Sequence, residues 1–118
     1  DMLHPILAKT PRPTAIFDGS GDIAPFIYRA ATKAGLRIPQ DLSVVTFDDS
    51  PFNIILEPEV ARLTHHWKEM GQSALEMLLK QMQSTRERSN GEALKYEHRV
   101  MPVEWLDGHS LAKAECSS

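Results

Sequence analysis

Two short turns in this sequence concentrate side chains able to do chemistry, Asp18-Gly19-Ser20-Gly21-Asp22 and Asp48-Asp49-Ser50-Pro51. Carboxylates at such turns can move protons, hold a cation, or accept hydrogen bonds from the hydroxyls of a neutral polyol. Acid–base work by Asp48 and Asp49 is disfavoured, because neighbours at a strand end point in different directions and one of them commonly serves the turn. Asp18, Ser20 and Asp22 imitate the first three ligands of a calcium loop. Ile23, however, holds the sixth position, where glycine is needed, and Arg29 the twelfth, where a bidentate glutamate is needed. Gly19-Ser20-Gly21-Asp22-Ile23-Ala24 fits the G-x-G-x-x-A pattern of dinucleotide sites. Asp18 and Asp22 nevertheless flank the place a pyrophosphate would take, and would repel it. His65-His66 lacks the spacing of a zinc site, and no serine or cysteine stands in a nucleophile context. What remains is recognition: Asp48 and Ser20 at strand ends, with the aromatics Phe17, Phe47, Phe52 and Trp67 on neighbouring segments, suit a sugar. Core packing is the expected role of Phe17 and Phe47.

The elements that must position these groups follow from the apolar pattern. Ala15-Ile16-Phe17, after the breaker Thr10-Pro11-Arg12-Pro13, reads as a short buried strand running into the first turn. Ile23, Phe26, Ile27, Ala30, Ala31 and Ala34 recur at three and four residues and predict a helix, with Asp22 able to cap it and Gly35 able to stop it. Pro25 is tolerated because it lies in the first turn. Leu42-Ser43-Val44-Val45-Thr46-Phe47 reads as a strand covered on both faces, so strand, helix and strand form a right-handed βαβ unit. In such a sheet the ligand crevice lies beyond the carboxyl ends of the strands, which puts both turns at one cleft. Leu63-Thr64-His65-His66 is a third strand. A helix from about Trp67 to Gln83 follows, with Trp67, Met70, Gly71, Ala74, Met77, Leu78 and Met82 on one face and Lys68, Glu69, Gln72, Glu76 and Lys80 off it. Ser84 to Ala93 reads as a loop, and Lys95 to Leu106 as extended chain with an edge or bulge at Pro102.

Bulk properties narrow the function further. The 118 residues are 42% hydrophobic and 25% charged, the balance of one ordinary globular domain. Thirteen Lys and Arg against sixteen Asp and Glu, with the basic residues scattered, offer no surface for nucleic acid. No apolar run approaches the roughly 20 residues of a membrane span, and Asp1-Met2-Leu3-His4-Pro5 has no targeting pattern. The single cysteine, Cys116, cannot form an internal disulfide and fits a free thiol in a reducing cytosol. Phe52, Ile54, Ile55 and Leu56 put four large apolar residues in a loop, which predicts self-association through them; the alternative is that Ile54 and Leu56 fold back on the core.

The order Pro13-Thr14-Ala15-Ile16-Phe17, then Tyr28 through Gly35-Leu36-Arg37-Ile38-Pro39-Gln40-Asp41-Leu42-Ser43-Val44-Val45-Thr46-Phe47-Asp48-Asp49-Ser50, then Met70-Gly71, resembles the C-terminal third of LacI/GalR-type transcriptional repressors. The resemblance covers about residues 10 to 110, and its most specific part is Gly35 to Asp49. It implies an α/β fold, a Rossmann-like parallel sheet flanked by helices, as an incomplete subdomain of the kind found in periplasmic binding proteins. Residues 10–66 would form the core of the second subdomain, 67–83 a crossover helix spent in the first, and 94–107 a returning strand. Two such subdomains close on a small effector, and operator DNA is bound only through an N-terminal helix-turn-helix domain that this sequence lacks. Asp48 stands where the family's effector-binding aspartate stands, Ser20 where an asparagine often does, and His65 and Trp67 on the crossover segment. The expected ligand contacts are therefore Asp48, Ser20, Trp67, His65 and Asp22, and the expected dimer contacts Phe52, Ile54, Ile55 and Leu56.

Departures from the family pattern are local. Ser20-Gly21-Asp22 replaces an asparagine-aspartate pair, Thr46 a glycine, Glu59-Val60-Ala61-Arg62 the order proline-leucine-threonine-threonine, and Gly108-His109-Ser110 lacks an arginine before its serine. The resemblance implies a cytoplasmic, homodimeric regulator that senses a sugar or similar small polar ligand, is not an enzyme, contacts no membrane, and needs neither metal nor cofactor. A periplasmic sugar-binding protein is the rival binding reading, and a nucleotide-dependent α/β enzyme the rival catalytic one. The apolar face of the helix from Trp67 must be covered by its own sheet, a second copy, or further protein.

Overall fold

The structure, a computed structural model, describes residues 3–87 and 96–113. It divides into a first unit, up to Thr64 together with the stretch from Glu104, and a second unit from His65 to Val103. In chain order the elements are α1 (His4–Leu7), β1 (Ala15–Asp18), α2 (Ala24–Lys33), β2 (Ser43–Phe47), a 3-10 turn (Asn53–Ile55), β3 (Ala61–His65), α3 (Trp67–Glu87) and β4 (Val103–Leu106). The sheet runs β1-β2-β3-β4, with β1 and β3 both parallel to β2. In that register Ala15 faces Ser43, Asp18 faces Thr46, and Thr46 faces Arg62, so β1 and β2 end side by side.

The core of the first unit is small and well covered. Leu7, Ile27, Tyr28, Ala30, Ala31, Leu42, Val44 and Val60 are its buried members, with Leu3, Ile16, Leu36, Ile38 and Leu56 packed on its edge. The alanines of α2 keep that helix face short enough for a close approach to the sheet. Gly35, with φ 71°, stops α2 as expected: its N–H donates to Thr32 O and that of Leu36 to Ala31 O, which satisfies carbonyls the helix end would leave open. Burying the Tyr28 ring pushes its phenol up to about 12, against the Ser110 hydroxyl acting the other way, and the phenol donates to Pro58 O at 2.8 Å.

Several expectations need correction. β2 alternates buried Val44 and Thr46 with half-buried Val45 and Phe47, so it is covered more completely on one face than the other. Phe17 is 59% exposed rather than in the core, because Asp18, next along β1, takes the inward position. Ile23 and Phe26 are exposed too; the buried stripe of α2 is Ala24, Ile27, Tyr28, Ala30 and Ala31. α1, which no sequence pattern flagged, supplies Leu7.

The stretch after β4 ties the sheet together. Ser110 is fully buried; its Oγ accepts from Ala61 N at 2.9 Å and donates to Val44 O, while Val44 N donates to Ser110 O at 3.0 Å. Gly108 makes this possible. A Cβ there would lie 2.4 Å from Ala61 N and 2.6 Å from Glu59 O.

In the second unit α3 runs on through Glu87, so the first residues of the expected Ser84–Ala93 loop are helical, and residues 88–95 lie outside the described set. Of the expected returning strand 94–107 only Val103–Leu106 pairs in the sheet; Leu94 and Lys95 lie outside the described residues. Arg99 donates to Ser73 Oγ at 2.8 Å and to Glu97 at 2.9 Å, and Lys80 to Glu97 at 3.1 Å, which lays residues 97–99 along α3. The covered side of α3 is Met70, Ser73, Met77, Gln81 and Ser84, whereas Trp67, Leu75, Leu78, Leu79 and Met82 are exposed. The expected apolar face is thus split: Met70 and Met77 are half-buried, but Trp67, Ala74, Leu78 and Met82 are exposed among the described residues.

Candidate functional site

β1 and β2 end side by side and bring the two turns together in the first unit. Asp18, the last residue of β1, is buried, and its carboxylate organises the first turn: Oδ1 accepts from Ser20 N and Ser20 Oγ at 3.0 Å each, and Oδ2 from Ile23 N at 3.1 Å. Asp18, not Asp22, therefore serves the start of α2, and Asp22 is exposed. The same bonds occupy amides that a pyrophosphate would require, which removes the basis of the dinucleotide reading. The calcium reading fails likewise, because the Asp18 oxygens already face N–H and O–H donors. Ser20 is exposed, and since its hydroxyl donates to Asp18, its lone pairs are what it can offer a ligand.

Gly21 joins this turn to the next. With φ 73°, it lies so close to the end of β2 that a Cβ would sit 2.9 Å from Asp48 O and 3.0 Å from Phe47 O. A side chain at this position would push the turns apart. Asp48 itself has φ 81°, a left-handed conformation unusual for a residue with a Cβ, though aspartate tolerates it better than most. Its N–H donates to Leu63 O at 2.8 Å and its carbonyl accepts from Asn53 Nδ2 at 3.1 Å.

Asp49 turns toward β3. Its carboxylate accepts from Arg62 Nε at 2.7 Å, and Arg62 Nη1 donates to Glu59 at 2.9 Å and to Val60 O at 3.2 Å. The Arg62 side chain is only 8% exposed. Burial acts to lower its pKa, but its hydrogen bonds to Glu59 and Asp49 outweigh that and hold it above the ordinary value.

In the second unit His65 and Trp67 share a ring contact, with centroids 4.7 Å apart and planes tilted by 52°, and Trp67 is more than half exposed. The expected ligand residues thus fall in two places. Ser20, Asp22 and Asp48 lie on adjoining turns of the first unit, and His65 and Trp67 are paired in the second. Of the expected dimer residues, Phe52, Ile54 and Ile55 are exposed, with Ile55 72% so, whereas Leu56 packs on the core and is not available to that surface. The fold-back alternative therefore holds for Leu56 and not for Ile54.

Two residues beside these turns, Asn53 and Arg62, escape the sequence pattern, and Asp18, visible there as an acidic turn residue, has a role the pattern does not give. The one available signal for Asn53 is its position as the lone polar residue in Phe52-Asn53-Ile54-Ile55-Leu56, where full burial gives it a reason to be there.

Comparison with known proteins bears on the fold and the family. Residues 2–111 match the family model described as a periplasmic binding protein-like domain. Over 85 residues the chain is 39% identical to the HTH-type transcriptional repressor PurR of Pectobacterium atrosepticum, covering 72% of this chain and 25% of that protein. It is 36% identical over 85 residues to the ribose operon repressor of Haemophilus influenzae, covering 72% of this chain and 26% of the other. The solved structure of a LacI family transcriptional regulator from Bifidobacterium animalis subsp. lactis superposes with a TM-score of 0.75 at 28% identity, over 94% of this chain and 38% of that one. The chain spans about a quarter of the length of the curated relatives it matches. No described helix is long and apolar enough to cross a membrane. The chain belongs to the periplasmic binding protein-like domain family, and corresponds to part of a LacI/GalR-type effector domain.

Proposed function

We propose that this chain is the effector-sensing and dimerising part of a LacI-type transcriptional regulator, with a sugar as effector. The observation that carries the reading is the close approach of Gly21 to the end of β2, where a Cβ would lie 2.9 Å from Asp48 O; it supports reading Ser20 and Asp48 as neighbours at one strand-end site. Both residues offer hydrogen-bond acceptors there, and a polyol brings the matching hydroxyl donors. In the second unit, Trp67 with His65 supplies an exposed aromatic face and a polar ring edge, the pair of surfaces that a sugar's C–H and O–H groups meet. Asp22, exposed beside Ser20, completes the polar set. Similarity to the ribose operon repressor makes D-ribose the first sugar to test.

Binding rather than catalysis is the activity proposed; no metal or cofactor enters it. Operator DNA would be engaged by a separate DNA-binding domain of the intact protein, acting in the cytoplasm as a homodimer through Phe52, Ile54 and Ile55. The test is calorimetric titration of the intact protein with D-ribose and a panel of other pentoses and hexoses. Asp48→Asn preserves the shape of the site and removes its charge. The affinity of the sugar that binds should fall by about 1.5–3 kcal/mol, the worth of hydrogen bonds to a charged group. Unchanged affinity would overturn the assignment.

A further inference from the structure

Beyond the groups that would touch an effector, the turn carrying Asp48 is gripped from the side of β3. Asp48 sits at φ 81°, and such a backbone persists only where its surroundings impose it. Its N–H is tied to Leu63 and its carbonyl to Asn53, whose Nδ2 also lies 3.3 Å from Thr46 Oγ1. One residue further on, the Asp49 carboxylate is tied to Arg62, which faces Thr46 in the sheet register. Arg62 is nearly buried, and its guanidinium spans two carboxylates, Asp49 and Glu59, that are each only partly covered. Buried ion pairs contribute little net stability, because desolvation offsets attraction. The buried guanidinium would be left with uncompensated charge if its carboxylates moved away, which favours keeping Asp49 and Glu59 against it. The planar fork of Arg62 is suited to join two anions at once, which a lysine ammonium does less well.

We infer that Arg62 is a positioning residue for the effector crevice: by clamping Asp49 to Glu59 it holds the turn in which Asp48 keeps its left-handed backbone. The effector half of this inference rests on the reading of Asp48 as an effector contact; the conformational half does not. The Arg62 guanidinium donates to Asp49, Glu59 and Val60 O, so its proposed action is through the turn and not on the ligand.

The inference is tested in the intact protein with Arg62→Met, Arg62→Lys and, as a control, Leu42→Ala, which opens a cavity in the core without altering the ion-pair cluster. Amide hydrogen exchange at Asp48 and Asn53, whose N–H groups are bonded to Leu63 and Ser50, is followed beside the global unfolding transition. Arg62→Met should speed exchange at these two amides by about tenfold or more beyond its effect on global stability, with Arg62→Lys intermediate. Leu42→Ala should lower the melting temperature without that local excess. Exchange that rises in Arg62→Met and Arg62→Lys only as far as global stability falls would overturn the inference, whatever Asp48→Asn does to sugar binding. Conversely, a local excess in Arg62→Met beside unchanged sugar binding in Asp48→Asn would uphold the clamp and remove the effector contact.

Discussion

Gly21 decides whether the two turns can lie side by side. Its φ of 73° and the 2.9 Å that would separate a Cβ from Asp48 O make two independent demands for glycine. Gly21→Ala should therefore destabilise the protein by about 1–3 kcal/mol in chemical denaturation, and should weaken sugar binding as well, because Ser20 and Asp48 are driven apart. A stability change near zero would show that the turns can adjust independently. Asp48 and Ser20 could be picked from the sequence because strand ends and turn residues are local signals. Asp18 is visible as an acidic turn residue, but its role depends on which amides it reaches, and the sequence points to Asp22, nearer the helix start, as the cap. Arg62 and Asn53 were not legible, since what defines them is a partner across the sheet or across a loop. An arginine inside a strand reads as surface until its two carboxylates are found beside it.

Among the elements, the turn between α2 and β2 shows how a few bonds set a junction. Asp41 accepts from Arg37 Nε at 2.8 Å and Arg37 N at 2.9 Å, and the side-chain bond, then the backbone one, lower its carboxyl from an ordinary 3.8 to about 2. The folded value lies below the unfolded one, so the contribution of this pair is fully present above about pH 4 and is lost as pH falls through about 2. Acid unfolding of Asp41→Asn compared with the parent should show a difference that shrinks over that window; a difference independent of pH would assign it to packing. β1, α2, β2 and the stop at Gly35 were legible because each combines a hydrophobic pattern with a turn signal. The errors came from faces rather than elements. Phe17, Phe26 and Trp67 are large and apolar, yet exposed, because apolar periodicity identifies a stripe without saying which of its edges the neighbouring element covers. The extent of β4 was overestimated for a related reason, since extended chain becomes a strand only where a partner accepts it.

Exposed apolar residues are the candidates for contact with further protein. Phe52, Ile54 and Ile55 stand out on the 3-10 turn and its lead-in, while Asn53 anchors that turn from within. If these residues form a homodimer contact, Ile55→Glu should shift the intact protein from dimer toward monomer in sedimentation velocity while leaving its fold intact. A dimer unaffected by that charge would place the contact elsewhere. The Ser110 bridge carries a further consequence, for the order of events on the ribosome. The backbone of β2 is bonded to a residue 66 positions later, and the groove that Gly108 enters lies beside the start of β3. While the chain is being made, Val44 and Ala61 must wait for that late segment to emerge, leaving a parallel sheet with an open edge for the time it takes to translate α3 and the stretch after it. Contacts so distant in sequence form slowly, and nascent chains stalled before Gly108 should be the ones that recruit chaperones.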